Sequence, residues 1–185
     1  SIIDIYNSQF LFGSESVINS QNCVISLYHC KFIKNINQFG TACIDSWSGD
    51  TIRIYNSIFL DNMAVMGIIY CSMSSIFRGR KSNTGLYLYN SIFSRNLLTY
   101  YYTSVIESGY ADLGLYNCTF NTNDDTLSLS SSASTMHISY CLFLNSGAAH
   151  IKIFEHIQIQ TYQSHFITKD ADIWTNQSSF FNRST

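Results

Sequence analysis

Residues 52–62 read IRIYNSIFLDN, and the phrase returns along the whole chain. Aligned on its phenylalanine, it gives IDIYNSQF ending at Phe10, ISLYHCKF at Phe32, IRIYNSIF at Phe59, LYLYNSIF at Phe93, LGLYNCTF at Phe120, MHISYCLF at Phe143 and IQTYQSHF at Phe166. Successive phenylalanines lie 22, 27, 34, 27, 23 and 23 residues apart, a period that suits one supersecondary unit per copy.

The columns of this alignment carry the physics. Seven before the Phe stand Ile3, Ile25, Ile52, Leu86, Leu113, Met136 and Ile159, and five before stand Ile5, Leu27, Ile54, Leu88, Leu115, Ile138 and Thr161. Mostly polar residues separate them. This is the alternation of a strand with one buried face. Two before the Phe a small residue always stands: Ser8, Cys30, Ser57, Ser91, Cys118, Cys141 or Ser164. If it faces inward with the Phe, one residue must be consumed by a corner, and Asn7, Asn56, Asn90 and Asn117 occupy that place. Asn tolerates left-handed backbone angles and can bond neighbouring main chain. Another Asn follows three after the Phe, at Asn35, Asn62, Asn96 and Asn123, and is followed by a turn of variable length, often with a Gly (Gly40, Gly67). A further short strand is expected at 41–44, 67–71, 104–106, 127–129 and 151–154.

Repeats of this kind bury nothing alone. Stacked, they cover one another's apolar face and pair their backbones in parallel. The expected architecture is all-β: a right-handed single-stranded parallel β-helix of about seven coils, with residues 1–185 forming one segment. Phe10, Phe32, Phe59, Phe93, Phe120, Phe143 and Phe166 form its core stack, and residues 72–83 are a loop extruded from it. The Tyr100–Tyr102 run marks a second protrusion. No terminal cap is evident, because Ile3 already stands in a core column and the Ser178-Ser179-Phe180 run restarts a similar phrase. The expectation is therefore a piece of a longer helix or a unit that stacks head to tail on copies of itself.

The phrase, best carried by NSIFLDN (56–62), NSIFSRN (90–96) and NCTFNTN (117–123), resembles repeats of the polymorphic outer-membrane-protein type within the pectin-lyase-like β-helix superfamily. His29, Tyr140 and Gln163 depart from its bend Asn. The resemblance covers nearly the whole chain and implies an extracellular or cell-surface structural or adhesive protein. Polysaccharide lyases and hydrolases share the superfamily.

Composition narrows the function classes. Ten Lys and Arg against twelve Asp and Glu give a net charge of −2, with no basic excess to hold nucleic acid or anionic lipid. No apolar run approaches the ~18 residues of a membrane-spanning helix. Acidic residues are scattered, and only Asp124 and Asp125 are adjacent. Glycosidic chemistry needs carboxylates converging on one face, and a solvated turn explains the Asp pair better. The five histidines fall in different columns, without ligand-like spacing. The chain reads as non-enzymatic, with no catalytic residue, metal or cofactor.

Tyr6, Tyr28, Tyr55, Tyr89, Tyr116 and Tyr162 stand four before the Phe, pointing outward. Such a column is either cross-coil aromatic packing or a strip that binds glycans. Lys34, Asp61 and Arg95 alternate in sign two after the Phe and suggest cross-coil ion pairs. Cys118 and Cys141 fall on adjacent coils, and Cys43 and Cys71 share the second strand, so each pair is a candidate disulfide. Sequons at Asn117, Asn176 and Asn182 are candidate glycosylation sites, the first at a bend that could be buried, the other two in a more irregular tail.

Overall fold

The computed structural model describes residues 1–47, 50–72, 85–99, 105–109, 111–123, 127–129, 135–144, 149–153, 158–167, 171–175 and 180–184. Every described element is a strand, and every strand pair is parallel. The first sheet holds β1 (Ile2–Tyr6), β4 (Val24–Tyr28), β8 (Thr51–Tyr55), β12 (Gly85–Tyr89), β16 (Asp112–Tyr116), β19 (Thr135–Ser139), β22 (Gln158–Tyr162) and β25 (Phe180–Ser184). The second holds β2 (Gln9–Leu11), β5 (Lys31–Ile33), β9 (Ile58–Leu60), β13 (Ile92–Ser94), β17 (Thr119–Asn121), β20 (Leu142–Leu144) and β23 (His165–Ile167). The third holds β3 (Ile18–Gln21), β7 (Thr41–Trp47), β11 (Gly67–Ser72), β15 (Ile106–Gly109), β18 (Leu127–Leu129), β21 (Ala149–Ile153) and β24 (Ala171–Thr175). Each coil visits the three sheets in turn and returns one strand further along the axis. This is the parallel β-helix, right-handed as crossovers between parallel strands are. Three coils carry a fourth, two-residue strand: β6 (Ile36–Asn37), β10 (Met63–Ala64) and β14 (Leu97–Leu98).

The repeat columns are the register. Ile3 pairs with Ile25, Ile25 with Ile52 and Leu86 with Leu113, while Phe10, Phe32, Phe59, Phe93, Phe120, Phe143 and Phe166 are mutually in register along the second sheet. From Phe32 to Phe143 the rings are fully buried and lie 4.5–5.0 Å apart, all but parallel.

The corner three before the Phe is left-handed in all seven copies. Asn7, Asn56, Asn90 and Asn117 have φ of 50–53°, and His29, Tyr140 and Gln163 adopt the same turn at 55°, 56° and 41°. The small residue after each corner works as a hydrogen-bonding plug. Ser57 Oγ donates to Tyr55 O at 2.9 Å and accepts from the Cys30 N–H at 3.1 Å, and Ser91 repeats the pattern with Tyr89 O and the Ser57 N–H. The thiols of Cys118 and Cys141 point likewise at Tyr116 O and Ser139 O.

The second corner differs from the sequence reading. Its left-handed residue is two after the Phe, at Phe12, Lys34, Asp61, Arg95 and Thr122. The Asn that follows turns inward and is buried. Asn35 Nδ2 donates to Asn62 Oδ1 (3.0 Å), Asn62 to Asn96 (2.9 Å) and Asn96 to Asn123 (2.9 Å). Each amide also donates to the Phe carbonyl of the preceding coil, and its oxygen accepts a main-chain N–H from that coil, Gly13 for Asn35 and the preceding Asn for Asn62, Asn96 and Asn123. Every amide is thereby satisfied within the core, as burial requires.

A third interior device lies where the third sheet turns into the first. Asp50 is completely buried, its Oδ2 accepting from Ser20 Oγ and Ser46 Oγ and its Oδ1 from the Cys23 N–H at 2.6 Å. Three hydrogen bonds from two coils thus occupy both carboxyl oxygens, as burial of a polar group requires.

Four expectations need correction. Cys43 and Cys71 are not level with each other: Cys71 is opposite Ser46, because the register shifts between Gly67 and Ile69, so a direct Cys43–Cys71 bridge has no basis in the pairing. Asn117 is exposed, since the left-handed turn throws its side chain outward. Asn182 lies in β25, paired opposite Gln160, and not in an irregular tail. Phe180 likewise begins that first-sheet strand and restarts no Phe column. The Tyr100–Tyr102 run, Asp124, Asp125, Asn176 and all of the 72–83 loop beyond the end of β11 lie outside the described residues.

Candidate functional site

With the inner columns consumed by packing, chemistry is left to the outward ones. On the first sheet, Tyr6, Tyr28, Tyr55, Tyr89 and Tyr116 form an unbroken ladder with centroids 4.7–5.0 Å apart and planes within 9°. Burial first, then the adjacent phenols, raises the Tyr55 and Tyr89 hydroxyl pKa values. The ladder breaks at Ser139. Tyr162, level with Ser139, instead meets Tyr140 edge to face at 5.3 Å and 81°. Because the rings lie face to face along the axis, the strip presents edges and hydroxyls to solvent, while its faces are spent on one another.

Tyr87, one column over, covers two glycines. A Cβ on Gly114 would sit 2.8 Å from Tyr87 Cδ1 and 2.9 Å from Tyr116 Cε2, and one on Gly85 would sit 2.6 Å from Tyr87 Cε2. Gly114→Ala is expected to destabilise by about 1–3 kcal/mol, as overpacking does. Chemical denaturation of the single mutant and of Gly114→Ala combined with Tyr87→Ser checks this; the second change should recover most of the loss.

Of the ion pairs expected at the second bend, the described residues form one, Asp61–Arg95. Arg95 Nε and Nη2 hold Asp61 Oδ1 and Oδ2 at 2.7 and 3.0 Å, keeping the Asp61 carboxyl below its usual range, while Lys34 Nζ lies 5.9 Å from the centre of the Phe12 ring. These solvent-facing contacts contribute little to stability.

The outward face of the third sheet was not anticipated as a site. Asp45, Tyr70 and Glu107 follow one another in register, and Trp47 stands two residues beyond Asp45 with its ring centroid 4.9 Å from that of Tyr70 at a 46° tilt. A hydrogen bond from Trp47 reaches the Asp45 carboxylate, yet burial outweighs it and raises the Asp45 pKa. Asp45 Oδ1 is buried and has no hydrogen-bond partner among the described residues. Burial alone pushes Glu107 up to about 7. An unfolded Glu titrates near ~4.3. Between those values the folded chain holds a proton the unfolded chain has lost. Stability is therefore full below the lower value and falls as pH rises through about 7, by on the order of 3 kcal/mol. Glu107→Gln is expected to flatten that fall and to raise the urea midpoint at pH 8; an unchanged pH slope would contradict it.

Among the described residues, no three His, Cys, Asp or Glu side chains gather closely enough to hold a metal ion. The six cysteines are free thiols.

No family model matches this sequence, and no curated protein matches it. Among solved structures, two trypsin-treated variants of QnrB1, a plasmid-mediated fluoroquinolone resistance protein, align at 10% identity. One covers 92% of this chain and 89% of its own with a TM-score of 0.24. The other covers 94% and 90% with a TM-score of 0.22.

Proposed function

We propose that this chain is a non-enzymatic, extracellular structural or adhesive β-helix, a surface element whose work is to be a stiff rod. The observation that carries this reading is the continuity of its ladders: Phe, Asn and Tyr each meet their own kind across successive coils. Residues committed to such columns stiffen an axis. Every coil offers the next the same backbone pattern, so association with further coils, of the same chain or of a second copy head to tail, belongs to this proposal. Assignment to the polymorphic outer-membrane-protein type of repeat, within the pectin-lyase-like superfamily, rests on the repeated phrase. Occupancy of the Asn117, Asn176 and Asn182 sequons by glycans, and a Cys118–Cys141 bridge under oxidising conditions, belong to the same extracellular reading.

Negative-stain microscopy of the native material tests it. Straight rods or filaments of uniform narrow width support it; globular particles would oppose it. The second reading, a carbohydrate-active or carbohydrate-binding β-helix, draws support from the row of tyrosine hydroxyls. New reducing ends or unsaturated products on incubation with acidic or neutral polysaccharides would replace the structural proposal. Glycan-array signals lost on Tyr55→Ala and Tyr89→Ala would establish the strip as a binding surface.

A further inference from the structure

The third-sheet face differs from the tyrosine strip in what it leaves open. Tyr6 to Tyr116 bury their faces on one another, whereas Trp47 and Tyr70 meet at a tilt and Trp47 remains 42% exposed. The residues that follow Trp47 in its column are Ser72 and Gly109, too small to cover an indole. Beside these rings stand two carboxyl groups that the described residues do not supply with enough donors. Asp45 has the Trp47 hydrogen bond on its carboxylate and a buried Oδ1 with none. Glu107, level with Tyr70 on the next coil, is affected by burial and by no donor. Asp45 and Glu107 are two coils apart, ~10 Å along the axis at the usual strand spacing, with Tyr70 between them.

We infer that Trp47, Tyr70, Asp45 and Glu107 form a binding site for a neutral oligosaccharide, a pyranose ring lying against the indole with its hydroxyls donating to the two carboxyl groups. An open aromatic face accepts the C–H face of a sugar, and an orphaned acceptor, once a side-chain rotation turns it toward the ligand, gains most from a hydroxyl donor, because the donor removes a desolvation cost already incurred. The two carboxyl groups place acceptors on either side of Tyr70, a spacing that favours a chain of sugars over a single one. An organic cation is the competing occupant, since it too would meet aromatic rings and carboxylates. The tilted pair is no cage, however, and the orphaned atom calls for a hydrogen-bond donor. The site does not depend on whether rods assemble, so microscopy and binding can fail separately.

The test is isothermal titration of the whole chain with cellohexaose, xylohexaose, chitohexaose and, as the cationic arm, choline chloride. Saturable binding of at least one hexasaccharide is expected, weakened at least about tenfold by Trp47→Ala and severalfold by Asp45→Asn. The circular dichroism of both variants should match the parent, because Trp47 is surface-exposed and Asn is isosteric with Asp. Glu107→Gln, which keeps an acceptor and adds a donor, should weaken binding less than Trp47→Ala. Binding of choline alone, binding unaffected by Trp47→Ala in a folded variant, or no saturable binding to any hexasaccharide would each overturn the assignment.

Discussion

Replacing Asn62 with leucine is expected to cost on the order of 4–6 kcal/mol and to prevent the middle coils from closing at physiological temperature. The side chains are close in size, so the loss is one of hydrogen bonds. Asn62 Oδ1 accepts from both the N–H and the Nδ2 of Asn35, each at 3.0 Å, and its Nδ2 donates to Phe32 O and Asn96 Oδ1. Leucine removes all four contacts at a site with no exposure. Each buried group left without its partner costs ~1–3 kcal/mol, and the deficit is shared by the coils on both sides. Asn62→Asp should not recover the stability, because a carboxylate would set acceptor against acceptor at Asn96 Oδ1 and Phe32 O. Urea unfolding, with hydrogen exchange at the Asn35 amide, measures the effect. A loss below about 1 kcal/mol would mean that the Asn column contributes shape alone.

Phe93→Ala is expected to destabilise by about 3–5 kcal/mol through the cavity it opens. Its ring lies 4.5 Å from Phe59 and 5.0 Å from Phe120, and all three are fully buried. A solenoid coil touches only its neighbours, so a cavity here weakens one interface and leaves the others whole. Unfolding should then separate into two transitions, one for the coils before β13 and one for those after it. A single cooperative transition shifted to lower denaturant would argue for coupling across the gap. Phe93→Leu, which refills most of the volume, should restore one transition.

Much of this was legible in the residues, and the reasons are local. The corner at Asn7, Asn56, Asn90 and Asn117 could be read because Asn is among the few side chains that favour a left-handed backbone. The second corner could not be placed, since Phe12, Lys34, Asp61, Arg95 and Thr122 share no conformational preference; the following Asn marked the turn while doing its work inside. Cys43 and Cys71 were misjudged because a register shift between Gly67 and Ile69 is invisible to counting. The same shift brings Asp45 level with Tyr70, which is why no motif announced the third-sheet site. Strands β3 and β24 carry weaker alternation than the Phe-bearing strands and went unread. Asp50 carries no sequence signal of its role, because its partners Ser20 and Ser46 come from two different coils.

The buried row from Asn35 to Asn123 also runs one way. Between neighbouring amides, the Nδ2 of Asn35, Asn62 and Asn96 each donates to the Oδ1 of the Asn one coil further on, so the amide dipoles align like arrows in a quiver. A coil added upside down would bring nitrogen against nitrogen or oxygen against oxygen. The molecule therefore carries a built-in compass, and anything that extends it through this row must point the same way.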